Sequence, residues 1–278
     1  MAKSSLHKTT RLIVLLTDFG LTDGYAGVMK GVICGVCRTA DIIDLSHNIA
    51  PQDVAEAAFV LAASYRYFPA QTIFVTVVDP GVGTERAVLC MRANRQIFLA
   101  PDNGILSVIA EETDGAEIRE VTAQRYFLKG ASATFHGRDI FAPVAAHLAA
   151  GLQPSKLGPL VERTRKLKLP KPIRAADGSL RGQIIYVDRF GNLITNIRQA
   201  TLAGQLNVPL DKTEVRIKRR TIHGVSRSYA DRKKGELLAL IGSTGYLEVA
   251  VNQGSAAQVL ACEKGETVAL AAFRGRAR

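Results

Sequence analysis

A β-prone run, Thr72–Val78, ends on Asp79, and seven residues later Arg86 opens the next apolar run. Between them Pro80, Gly81 and Gly83 force a turn. A turn that only reverses the chain needs Gly, Asn or Pro, with no charge on either flank. A carboxylate and a guanidinium in these places could instead take up a proton and stabilise developing negative charge. The plain alternative is a solvated turn with incidental charges. Three more stretches put polar residues where strands should end: Thr17-Asp18-Phe19-Gly20, Phe135-His136-Gly137-Arg138-Asp139 and Asp188-Arg189-Phe190-Gly191-Asn192. The carboxyl ends of sheet strands are where open α/β folds build ligand sites.

Several chemistries are disfavoured by what these stretches lack. Gly81-Val82-Gly83 has no third glycine, and no Gly-Lys-Ser/Thr follows any strand, so a nucleotide polyphosphate is not expected. Neither a His-Glu-x-x-His pattern nor a Gly-x-Ser-x-Gly elbow occurs. Cys34-Gly-Val-Cys37 has redox or zinc spacing, but no second pair completes a metal site. It lies near the end of an expected helix, where the dipole does not activate a thiol, and is read as small apolar filler. His147 falls in an Ala/Leu helix and reads as packed. His7 and His223 sit in polar, basic segments and read as solvent-facing, while His47 follows a strand and could wall a site.

The elements that must position these residues alternate. Arg11–Phe19 and Ala40–Leu45 read as strands around a helix at Asp23–Cys34, and Pro51 opens an Ala-rich helix to Phe68. Strands follow at Thr72–Val78, Ala87–Arg92, Ile97–Leu99 and Ile118–Val121, with helices at Leu106–Glu112 and Asp139–Ala150. The expectation for residues 1–163 is an α/β domain with a largely parallel central sheet. Residues 164–179, rich in Lys and Pro without periodicity, read as a linker. Residues 180–278 carry short strands between Gly and Asn, at Gln183–Val187, Leu193–Asn196, Glu214–Ile217, Leu237–Ile241, Tyr246–Val251 and Thr267–Ala272. They predict a smaller all-β domain of barrel or sandwich type.

At 278 residues and 47% hydrophobic content the chain can fill two such cores. Its apolar runs are too short to span a membrane, and its first ten residues lack the apolar core of a signal peptide, so a soluble cytoplasmic protein is expected. The net charge of +11 is concentrated in Arg163–Arg174, Arg216–Arg220 and the terminal Arg-Gly-Arg-Ala-Arg. No aromatic residues alternate with these runs as a nucleic-acid stacking platform requires. They read as linker or surface charge.

Seven stretches in order, TDFGLTDGYAGVMKG, DLSHNIAPQDVAEAAFVL, VVDPGVGTERA, APDNGILS, FHGRDIFAPVAAHLAAG, VDRFGNLITNI and GYLEVAVNQGSA, closely resemble the S-adenosyl-L-methionine hydroxide adenosyltransferase family, hydrolytic relatives of fluorinase and chlorinase. The resemblance runs from about Leu12 to Ala271 and implies cleavage of S-adenosylmethionine by water to adenosine and methionine, with no cofactor and no metal. It puts the family's catalytic Asp, Arg and His on Asp79, Arg86 and His136. It further implies that Asp18 grips the ribose hydroxyls, and that Asp188 and Asn192 meet the methionine amine and the adenine edge. Phe190 and Tyr229 would offer ring faces, and Ser243 and Glu248 would border the methionine end. The family's trimeric assembly implies sites between the α/β domain of one chain and the β domain of the next.

The chemistry is coherent with that resemblance. Sulfonium is already a good leaving group, so the demand falls on the nucleophile, and water, with a pKa of about 15.7, must acquire hydroxide character. Asp79 or His136 could take its proton; Arg86, always protonated, could not. Three other readings stay open: a halogenase forming a 5′-halo-adenosine, a non-catalytic binder of S-adenosylmethionine or adenosine, and a nucleic-acid module driven by the basic runs.

Overall fold

The strand β1 (Ile13–Thr17) is buried at every position, as a strand covered on both faces must be. In the computed structural model, which describes residues 11–205 and 209–273, the chain forms two compact units that meet between Leu167 and Lys168. The first unit holds β1, α1 (Tyr25–Val36), β2 (Ile42–Ser46), α2 (Val54–Ser64), β3 (Ile73–Val77), β4 (Val88–Ala93), β5 (Gln96–Pro101), α3 (Ser107–Glu111), β6 (Glu117–Glu120) and α4 (Ala142–Ala149). Its sheet has the order β2-β1-β3-β5-β4-β6. The first four of these strands are parallel, and β4 runs against β5 and β6.

Alternation along the strands sorts the core into two layers. Ile13, Leu15, Val75 and Leu99 pack with Met29 and Ile33 of α1 and with Val144 and Leu148 of α4. Val14, Leu16, Phe74 and Phe98 face the opposite way, toward Ala57 and Leu61 of α2 and Ile109 of α3. Each such large side chain, fully buried, contributes roughly 1.5–3 kcal/mol relative to exposure. The result is a helix–sheet–helix sandwich with a packed layer on each face of the sheet.

The second unit contains β7 (Ile173–Arg174), β8 (Leu180–Val187), β9 (Leu193–Arg198), α5 (Gln199–Gln205), β10 (Thr213–Ile217), β11 (Arg220–His223), β12 (Val225–Ser226), β13 (Leu237–Ile241), β14 (Tyr246–Val251), α6 (Ala256–Leu260) and β15 (Thr267–Ala272). Its path is β11-β10-β15-β8-β9-β14-β13-β12, with β7 added beside β8. Among its described residues, only β12 and β13 pair in parallel. The edge strands β10 and β11 return against β12 and β13, so the sheet is a nearly closed barrel rather than a sandwich. Leu180, Ile184, Val215, Leu247 and Leu270 fill its interior.

Several sequence expectations need correction. Pro51 does not open a helix: it sits in a turn with Gln52 at φ 64°, and α2 starts later because the Asp53 side chain caps the Glu56 N–H at 2.9 Å. Asp139 does not begin an α-helix either, since Gly137–Phe141 winds as a π-turn before α4. Cys34 is exposed, not filler, whereas Cys37, Cys90 and Cys262 are buried. The basic run Arg216–Arg220 is a hairpin, in which Arg216 pairs with Glu214 and Lys218 with Glu266. Within residues 164–179, β7 pairs with β8. His7 and the terminal Arg-Gly-Arg-Ala-Arg lie outside the described residues. Among the described residues no helix is long and apolar enough to cross a membrane.

Candidate active site

Asp79 follows β3 by two residues, and a succession of tight turns carries the chain back to it. The Val82 N–H donates to the Asp79 carbonyl (3.2 Å), the Thr84 N–H and hydroxyl to the Gly81 carbonyl (3.1 and 2.7 Å), and the Arg86 N–H to the Thr84 hydroxyl (3.3 Å). Gly83 has φ +80°, and a Cβ there would stand 2.7 Å from the Ala133 carbonyl oxygen. Only glycine lets this turn lie against the segment that leads to His136. Asn103, from the loop after β5, donates to the Val78 carbonyl at 2.8 Å and fixes the strand end.

These turns bring Asp79, Arg86 and His136 together. Arg86 Nε donates to Asp79 Oδ1 at 3.0 Å, and Nη2 donates both to Asp79 Oδ2 and, at 2.7 Å, to His136 Nδ1. The Arg86 side chain is 2% exposed and its ion pair with Asp79 is buried, with the Phe141 ring centroid 5.8 Å from its Cζ. A guanidinium has donors only, so His136 Nδ1 must be the acceptor. The imidazole is then neutral, with its hydrogen on Nε2. Burial first, and the Arg86 charge second, hold His136 below the ordinary histidine pKa, against smaller opposing effects of Asp79 and Asp139.

Asp79 and His136 line an open pocket of about 310 Å³ together with Asp18, Phe19, Tyr25, Gln52, Val82, Thr134 and Phe135. Asp18 is not a helix cap: α1 is preceded by Gly24, and Asp18 Oδ2 accepts the Gln52 N–H at 2.8 Å. Phe19, Tyr25 and Phe135 form a cluster of tilted and edge-on rings with centroids 5.1–5.8 Å apart. Sequence reasoning did not single out Phe19, Tyr25, Gln52, Thr134 or Phe135 as site residues; Phe19, Thr134 and Phe135 lie in or beside polar stretches already noted, whereas Tyr25 and Gln52 do not. His47 is not on this wall. It is buried and bonds Thr17 Oγ1 through Nδ1 at 2.8 Å, while its carbonyl accepts the Gly20 N–H at 2.7 Å.

The β unit carries the other polar set. Asp188 and Asn192 close the β8–β9 turn on each other: Asp188 Oδ1 accepts from the Phe190 and Asn192 N–H groups, and Oδ2 accepts from Asn192 Nδ2, all at 2.9 Å. Gly191, at φ +80°, leaves no room for a side chain beside Ser255. Phe190 projects its ring outward, 77% exposed. Tyr229 donates its hydroxyl to Glu248 Oε1 at 2.5 Å. Burial, then the Asp188 charge, push Glu248 above the ordinary carboxylate pKa against the pull of the Tyr229 bond, and burial together with Glu248 pushes the Tyr229 phenol up. Ser243 is exposed in the β13–β14 turn, and Gly242 lies so close to Glu248 Oε2 that a Cβ would stand 2.5 Å away. Among the described residues no group of three or more His, Cys, Asp or Glu is placed to share a metal ion.

A three-layer α/β unit with an Asp–Arg–His cluster beside the end of β3, followed by a β-barrel unit, defines a two-domain enzyme architecture. The models for the SAM hydroxide adenosyltransferase N-terminal and C-terminal domains match residues 13–158 and 182–269, and the chain belongs to that family. It is 38% identical over 265 residues to an (R)-S-adenosyl-L-methionine hydrolase of Salinispora tropica, covering 95% of this chain and 98% of that one. A solved structure of an uncharacterized conserved protein from Thermotoga maritima superposes with a TM-score of 0.87 at 42% identity, covering 93% of this chain and 99% of that one. A fluorinase of Nocardia brasiliensis is more distant, 30% identical over 280 residues, with 88% and 92% covered.

Proposed function

We propose that this enzyme hydrolyses S-adenosyl-L-methionine to adenosine and L-methionine by attack of water, with hydroxide character, at the ribose C5′. The observation that carries the reading is the Asp79–Arg86–His136 cluster, with its ion pair buried, beside a pocket that also presents Asp18. With its Nδ1 lone pair given to Arg86, neutral His136 has no free site for a proton and offers Nε2–H as a donor to the nucleophilic oxygen. Asp79 keeps a lone pair on each oxygen beyond its bonds to Arg86 and is the group that takes the proton from water. Arg86 holds both partners in place and supplies positive charge where negative charge develops.

In the same reading Asp18 holds the ribose hydroxyls. Asp188, Asn192, Phe190, Tyr229, Ser243 and Glu248 receive the adenine and methionine ends from the β unit of a neighbouring chain. That assembly is a homotrimer with sites between chains, working in the cytoplasm without cofactor or metal. The two polar sets carried on separate units support it. Incubating the purified protein with S-adenosylmethionine and separating the products by chromatography tests the reaction. Adenosine and methionine in equal amounts are expected, unchanged by EDTA; methylthioadenosine or S-adenosylhomocysteine would overturn it, because those products break other bonds at sulfur.

The likeness to fluorinase favours one alternative, attack by halide. Asp79 and Val82 line the pocket here, and a carboxylate beside a desolvated anion is strongly unfavourable. High fluoride or chloride is therefore expected to yield no 5′-halo-adenosine by mass spectrometry.

A further inference from the structure

A second concavity, of about 280 Å³, opens at the other end of the six-stranded sheet, lined by Arg11, Gln71, Arg92, Arg95, Gln96 and Gln153 among others. Arg11 precedes β1, Gln71 precedes β3 and Gln96 begins β5, so this is the amino end of the parallel strands, away from Asp18 and Asp79. No carboxylate lines it. Arg11 spends one N–H on the Leu148 carbonyl at 3.2 Å. Arg92 faces Glu117 in register, but Glu117 is already held by Arg119 at 2.9 and 2.6 Å. Three guanidinium groups thus share one hollow without a carboxylate lining it among the described residues.

Two local features sharpen the chemistry. Asn94 and Arg95 form the β4–β5 turn with φ values of 50° and 63°, a geometry that strongly favours glycine at the second position. Arginine stands there against the backbone preference. Gln96 is 4% exposed and gives its Nε2 to the Tyr65, Phe68 and Pro69 carbonyls. Its Oε1 is buried with no partner among the described residues.

We infer that this concavity binds a phosphoryl group, free or as the monoester of a small molecule. Guanidinium forks match phosphoryl oxygens in charge and geometry. The site is independent of the hydrolase reading.

Isothermal titration of the full chain with inorganic phosphate and with glycerol phosphate, at ionic strength held constant with chloride, tests it. One saturable site per chain is expected, weakened at least tenfold in the Arg92→Ala/Arg95→Ala variant, with S-adenosylmethionine turnover unchanged. Whichever of the two probes binds tighter identifies the source as ester or free phosphate. Arg95→Gly separates binding from folding: it relaxes the turn, so thermal stability should rise or hold while phosphate affinity falls. Equal heats in wild type and variants, no saturation, or an RNA oligomer binding with steep salt dependence where phosphate does not bind would each overturn the inference.

Discussion

Replacing Arg86 by lysine would keep the charge, yet under the proposed reading it should cost function. One guanidinium reaches two Asp79 oxygens and the His136 ring at once, whereas an ammonium is a point charge without that planar fork. Arg86→Lys and Arg86→Ala should both cut single-turnover rate by about 10²–10³-fold, with calorimetric affinity for S-adenosylmethionine little changed. Asp79→Asn should cost a comparable or larger factor, about 10²–10⁴-fold, as expected for the proton acceptor. Asp18→Ala should instead weaken binding first. If Arg86→Lys turns over like wild type while binding collapses, the cluster is a binding feature. The His136 pKa is held down by burial and by Arg86, so the neutral ring persists into mild acid. The acid limb of kcat/KM assigned to it should lie below the ordinary histidine value of about 6.5, and Arg86→Ala should move that limb upward, as a pH–rate profile would read.

At the scale of elements, the loop bearing His136 is held by Asp139, which is buried and accepts from the Ser132 N–H and hydroxyl at 2.8 Å and from Arg138 Nε at 2.6 Å. Arg138 first, then Ser132, hold the Asp139 pKa at about 2. Its folded value is depressed, so its stabilisation is present above the unfolded value of about 3.9 and is lost as pH falls toward the folded one. Asp139→Asn should therefore flatten the loss of stability between those values in acid denaturation. Gly83→Ala should cost about 1–3 kcal/mol from its backbone conformation alone, with further loss of rate as the Ala133 segment is displaced. Much of this was legible in the sequence. The limits of β13, β14 and β15 match their expected bounds, and three of the four polar stretches mark the ends of β1, β3 and β8, because alternation and turn residues are local signals; the fourth, Phe135–Asp139, instead opens the π-turn before α4. The pocket's Gln52 and the aromatic trio were not legible, since only the fold brings residues 19, 25, 52 and 135 together. Strand β11 was hidden by its charge, which the sequence pattern cannot tell from a solvated loop, and β12 by its length of only two residues.

For the whole molecule, the trimer reading predicts a threefold mass in analytical ultracentrifugation at assay concentration and no activity from either unit alone; a fully active monomer would contradict it. One strand's polarity has a consequence for the chemistry. Were β4 parallel to β3, the connection would have to cross the length of the sheet, and the residue that opens β4 would emerge roughly 17 Å from the one that closes β3, at about 3.3 Å per residue. Since β4 runs the other way, the chain leaves and re-enters at the same rim, passing the end of β5, where the Asp102 N–H bonds the Ala87 carbonyl at 2.9 Å. Opposite charges that are neighbours in sequence can then be neighbours in space with no helix between them. The acid and its guanidinium travel as one short cassette, which a graft onto another sheet could carry only beside a strand of reversed direction.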